Sequence, residues 1–186
     1  ALLDYAINAS LVLSYVAMRK DDKAGLVTFN EHFDTFVPAS KQVGQMQTLL
    51  ENLYKQETTF GETDFSALWG HLGKHVNKRS FLVLYTNFSN MTSLNRQLVY
   101  LQQLARQHRV LVVFFEDADL KEYIAGKSVT TEDYYRHVIA EKFAFEKRLI
   151  VSTLKQHGIY SLLTTPDKLS IDVINKYLEM KSRQLL

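Results

Sequence analysis

Two short polar segments of the chain hold side chains suited to a hard cation. Gly61-Glu62-Thr63-Asp64 stands just ahead of a helical pattern, and Thr86-Asn87 directly follows the apolar run Phe81–Tyr85. A hydroxyl, a carboxylate and an amide carbonyl converging at one point would suit magnesium, which takes oxygen ligands. The same residues also fit plain structural work, with Thr63 or Asp64 capping a helix and Asn87 shaping a turn. Further on, Glu116-Asp117-Ala118-Asp119 follows the strongest apolar run. It could bind a cation, form an acidic rim, or open a helix, whose positive end favours carboxylates. His71 and His75 lie four apart, a metal-ligand spacing on a helix, but no third ligand recurs nearby and no Glu lies between them. They read as surface histidines.

Other chemistries find no support. The chain has no Gly-x-Ser-x-Gly elbow to present a nucleophile, and neither of the glycine-rich loops that cradle nucleotide phosphates. A metal-assisted hydrolase would need Asp64, Glu116 and Asp117 clustered in a pocket with shifted pKa values, and no nucleophile–base pair accompanies them. The reading is therefore not an enzyme. Cysteine is absent, so disulfides, thiolate catalysis and cysteine-held zinc are excluded. A net charge of +2, without a basic block, advertises neither nucleic acid nor an anionic membrane. No run approaches the roughly 18 apolar residues of a membrane span, so direct membrane insertion by this chain is not expected.

The elements that must position these residues follow from hydrophobic period. Leu2, Leu3, Ala6, Ala9, Leu13, Val16 and Ala17 recur at three- and four-residue steps, an amphipathic helix. Ala24–Phe29 and Phe33–Pro38 read as paired strands around a short Asn30-Glu31-His32 turn, with the proline marking an edge. Val43, Met46, Leu49, Leu50 and Leu53 give a second helix, and Phe65, Leu68, Trp69, Leu72 and Val76 a third. Phe81–Tyr85 and Val110–Phe115 are short, nearly unbroken apolar runs, the pattern of strands buried on both faces. Ser93 can cap the helix between them. Thr130 or Thr131 begins a long helix that Gly158 closes, Ile159–Leu163 is a last strand, and Ser170 or its predecessors open a final helix with Ile171, Ile174, Tyr177 and Leu178 on one face. On the long helix, Tyr134, Tyr135, Phe143 and Phe145 read as core or interface, while Lys142, Glu146, Lys147 and Arg148 dress one side. Alternating helices and buried strands predict one doubly wound α/β domain over residues 1–186. It has a mostly parallel central sheet, helices on both faces and one antiparallel edge strand.

The order helix, Lys23-Ala-Gly-Leu-Val-Thr-Phe29, edge strand, Gly-Glu-Thr-Asp loop, then Arg79-Ser-Phe-Leu-Val-Leu-Tyr-Thr86 resembles a von Willebrand factor A domain. More narrowly, Leu3-Asp4-Tyr5-Ala6 with Asp22–Leu26, and Pro166–Leu169 with Asn175–Lys181, resemble the bacterial family called domain of unknown function 58. The wider fold holds a divalent cation with an Asp-x-Ser-x-Ser loop, a threonine and an aspartate. Thr63 matches the threonine, and Asn87 stands in the aspartate's place. The resemblance implies that the Asp-x-Ser-x-Ser loop and its strand lie before Ala1, so the chain is expected to be truncated there. The absent strand would run between Ala24–Phe29 and Phe81–Tyr85. That position is expected either to close by direct pairing of the two strands or to be filled by another chain, self-association included. No metal is expected in this chain, with magnesium a possibility for a longer form. The resemblance further implies a non-catalytic protein-interaction module that works beside a MoxR-type AAA+ ATPase. It would be a soluble domain on the cytoplasmic side of a membrane-anchored bacterial protein, binding its partner through loops that carry Glu62, Asp64, Glu116 and Asp117. A structural oligomerisation unit is the other non-catalytic reading.

Overall fold

The computed structural model describes residues 2–30, 33–57, 63–88, 90–116, 122, 124–127 and 129–186. Two compact units emerge. One comprises residues 1–80 together with 166–186, and the other residues 81–165.

In the first unit, α1 (Leu2–Arg19) ends at Asp21, whose φ of 66° turns the chain into β1 (Ala24–Phe29). Aspartate tolerates this left-handed conformation better than most residues. Antiparallel β2 (Phe33–Ser40) pairs with β1, and the register slips between Ala24 and Leu26. Gly25 sits at that bulge: a Cβ there would stand 2.7 Å from both the Ala39 nitrogen and the Val37 oxygen, so only glycine fits. Ala24, Val37 and Leu49 form a small core beneath the pair, with Leu11, Met18, Leu26 and Met46 packed on it. Helix α2 (Gln45–Tyr54) begins at Gly44, whose φ is 93°, so Val43 falls outside the helix and is fully exposed. The expected inward place of Val43 is thus corrected: a left-handed glycine turns the chain between it and the helix.

Helix α3 (Phe65–His75) packs on β2 and buries Phe65, Leu68 and Leu72. A 3-10 turn (Pro166–Lys168) leads to the last helix of the chain (Leu169–Ser182), which packs against α1. Its buried face is Leu169, Val173, Tyr177 and Met180. Ile171, expected inward, is 64% exposed, because this stripe leaves it on the opposite side. Two of these residues reach back across the unit: the Tyr177 hydroxyl donates to the Asp22 carboxylate, and Lys181 Nζ donates to it at 2.6 Å.

The second unit is a parallel three-stranded sheet in the order β3 (Phe81–Tyr85), β4 (Arg109–Phe115), β5 (Tyr160–Thr164). Parallel neighbours need a crossover. Helix α4 (Met91–Gln107) supplies the first and packs on β4, while α5 (Thr131–Gln156) supplies the second and packs on β5. The central strand is buried from Val110 through Phe115, as its unbroken apolar run requires. The cap of α4 is Asn90, whose side chain accepts from the Ser93 backbone N–H at 2.8 Å. Ser93 is therefore three residues inside the helix rather than its cap. Thr130 and Asp133 close a reciprocal capping box at the start of α5. At its end Gly158, with φ 73°, donates to the Lys155 carbonyl.

One expectation narrows at this level. Tyr134, Tyr135, Phe143 and Phe145 are 46% to 66% exposed, because α5 buries only the stripe through Ala140, Ile150 and Leu154, so the core alternative falls. β1 is laddered to β2, and β3 to β4. The architecture is mixed α/β, with an antiparallel pair and a parallel sheet.

Candidate functional site

In the first unit, the backbone N–H of Asp64 donates to the Asn30 carbonyl at 2.9 Å, which ties the start of α3 to the chain just past β1. Thr63 and Asp64 are thereby placed at the carboxyl end of that strand, both half-buried. The Asp64 carboxylate is engaged by its own helix. One oxygen accepts from Ser66 N at 2.8 Å, Ala67 N at 3.4 Å and the Ser66 hydroxyl at 2.5 Å. This is an N-cap, satisfying donors that the first helical turn leaves orphaned. Asp64→Ala should therefore cost about 1 kcal/mol of stability, read from the urea midpoint. Asp64→Asn, which keeps the accepting oxygen, should recover most of it.

His71 and His75 are on the same helix. Their rings stack at 4.2 Å between centroids, and both meet the Phe36 ring of β2. Burial, and then the neighbouring His75 and Lys74 charges, push the His71 pKa down. His75 is exposed as expected, whereas His71 is half-buried and packs.

In the second unit, Thr86 extends the β3–β4 ladder by donating to Val113, and Asn87 follows it at the carboxyl end of the sheet. The Asn87 side chain reaches the long helix. Its Oδ1 accepts from Lys147 Nζ at 2.9 Å, and the same ammonium donates to the Phe88 carbonyl at 2.9 Å. It also stands 5.4 Å from the centre of the fully buried Phe114 ring, in cation–π range. Burial pushes the Lys147 pKa down from 10.5, the direction expected for an ammonium drawn out of water. Of the four charged residues that dress one side of the helix, Lys147 is half-buried and reaches the end of β3. A signal for this was present in the sequence, since residues 140, 147, 150 and 154 share one helical stripe.

Glu116 continues past β4, its backbone N–H donating to the Thr164 carbonyl at 2.8 Å. Glu62 and Asp117 lie outside the described residues.

The residues present do not fit a divalent cation at Asn87. Magnesium needs oxygen ligands at close range and draws its affinity chiefly from carboxylates. Here the amide oxygen is neutral, and a positive charge already sits at hydrogen-bond distance from it. Among the described residues, the carboxylate next to Thr63 is that of Asp64, which caps its own helix. Among the described residues, no three His, Cys, Asp or Glu side chains group together as a metal centre would require. Among them too, no helix is long and apolar enough to cross a membrane.

Comparison with curated proteins and with solved structures returned no match. A family model described as "Protein of unknown function DUF58" matches residues 3–130, which takes in α1 through α4, both candidate loops and the central strand β4. The resemblance carried by Leu3–Ala6 and Asp22–Leu26 falls inside that match, and the chain belongs to the DUF58 family.

Proposed function

We propose that the chain is a non-catalytic protein-interaction module with a doubly wound architecture like that of von Willebrand factor A domains. The observation that carries this reading is the state of the polar groups at the strand ends. Asp64 is held by its own helix and Asn87 by Lys147, so neither is poised to activate water or a nucleophile. Groups fixed in this way are preorganised for recognition, because little conformational freedom remains to be lost when a partner docks. Partner recognition is assigned, for each unit by itself, to the segment after a strand: Glu62-Thr63-Asp64 in the first unit and Glu116-Asp117 in the second.

The partner is a MoxR-type AAA+ ATPase, and the parent protein is membrane-anchored with this module on its cytoplasmic side. Family likeness supports these two assignments. The test is titration of the chain with a purified MoxR-type ATPase held in its ATP-bound state, followed by light scattering. A complex of the two proteins is expected. Absence of a complex at about 100 μM, a concentration well above ordinary protein–protein dissociation constants, would overturn the ATPase assignment. The same measurement on the chain alone reads self-association through the outer edges of β1 and β3.

A further inference from the structure

Lys147 has a chemistry that its helical role does not explain. An ammonium carries three N–H donors. Two are used, on Asn87 Oδ1 and the Phe88 carbonyl, and both acceptors are neutral. Among the described residues no carboxylate stands within ion-pair distance of Lys147, which meets only neutral partners there while the residue is half-buried. A charge drawn out of water without a counter-charge is unfavourable, and an anion bound from outside relieves it. The site is also built. Three separate pieces of the unit (the end of β3, the carboxyl end of β4 and the middle of α5) converge on one nitrogen.

We propose that Lys147 is the fixed cation of the sheet's carboxyl end, and that its third N–H receives the carboxylate of an acidic side chain from a protein partner. The proposal rests on the interaction-module reading above and names the group that does the recognising. Asparagine at position 87 is what makes this work. Its amide orients the ammonium as an aspartate would, but leaves the positive charge unspent, and its exposed NH2 offers a second donor beside the first. A phosphate group fits less well. It presents several charged oxygens that call for a cluster of donors. A carboxylate needs only the one open donor and its amide neighbour.

Asn87→Asp is the most telling variant, because it is nearly isosteric and places a counter-ion inside the protein. Lys147→Gln removes the cation itself. Sodium acetate and, separately, inorganic phosphate are titrated into the full chain at constant ionic strength. The response is followed by NMR at the Phe88 backbone amide and the Asn87 side-chain amide. For Asn87→Asp only the Phe88 signal is used. Expected is a saturable response to acetate, no tighter response to phosphate, and weakening of the acetate response by at least about tenfold in both variants, the scale of one charge-assisted hydrogen bond. No acetate response, an equal response in either variant, or tighter binding of phosphate overturns the assignment. Far-UV circular dichroism of Asn87→Asp confirms that its loss of response is not a loss of fold. Should the ATPase bind a chain that ignores acetate, the Lys147 assignment falls while the interaction module stands. Acetate binding without an ATPase complex supports Lys147 and removes only the named partner.

Discussion

Phe114→Ala is expected to destabilise the protein by about 3–5 kcal/mol, a large part of the roughly 5–15 kcal/mol that holds a domain folded. Phe114 lies in the central strand of the parallel sheet with no exposed surface, so truncation leaves a cavity that neighbouring backbone, laddered on both sides, cannot collapse to fill. The ring also offers its face to the Lys147 ammonium at 5.4 Å. Phe114→Leu separates the two contributions. It keeps most of the volume and loses the aromatic face, for a cost of about 1–2 kcal/mol. Urea denaturation followed by circular dichroism reads both. A cost below about 1 kcal/mol for the alanine variant would mean that Phe114 is not where the sheet places it.

Asp22→Ala carries the second large effect, about 2 kcal/mol near neutral pH. Removing the carboxylate strips the acceptor from the Tyr177 hydroxyl, on a residue only 5% exposed, and from Lys181, whose side chain is 37% exposed. Most of the cost comes from the tyrosine, since Lys181 can turn to water. The penalty depends on pH in a direction that can be worked out. Burial by itself raises the Asp22 pKa. The hydrogen bonds from Lys181 and Tyr177 and the charges of Lys181 and Lys41 outweigh it, and the carboxyl is held below its ordinary 3.8. A depressed carboxyl contributes stability that is present above 3.8 and is lost as pH falls through the lower, folded-state value. Tyr177 is shifted the other way. Burial, then the Asp22 hydrogen bond and charge, raise it above its ordinary 10.0, so its share is present below that value and fades as pH climbs beyond it. The difference in stability between wild type and Asp22→Ala should therefore be widest between these limits and narrow at both ends. A difference that does not vary with pH would mean that the Asp22–Tyr177 bond is absent in solution.

What could be read from the chain beforehand divides along physical lines. β3 and β4 are legible because a strand buried on both faces writes an unbroken apolar run, and the shortness of these runs separates them from a buried helix. The start of α4 was displaced because Asn90 and Ser93 are both good caps three residues apart, and sequence cannot say which one turns the chain. Tyr134, Tyr135, Phe143 and Phe145 read as core or interface because apolar side chains that pack inward and those left outward look alike until the packing stripe is known. At the candidate loops, the Asp64 cap was foreseeable as an alternative from its place before α3. Lys147 escaped notice because its partner is 60 residues away, and a lysine on a charged helix is ordinarily solvated. The Asp22–Tyr177 bond spans 155 residues, beyond any local pattern.

The division of the first unit between residues 1–80 and 166–186 matters for how the protein is made. Synthesis proceeds from the amino end, so α1 emerges from the ribosome long before the helix Leu169–Ser182 that packs on it. Throughout that interval the surface which Val173, Tyr177 and Met180 will cover stands bare, while residues 81–165 hold all the strands of their own sheet in one continuous stretch. The later-made unit can thus mature first, and the earlier-made one waits for the last turns of the chain. At the ordinary pace of about 5–20 residues per second, that leaves an apolar flank uncovered for roughly ten to thirty seconds in every newborn molecule, long enough for a chaperone to find it.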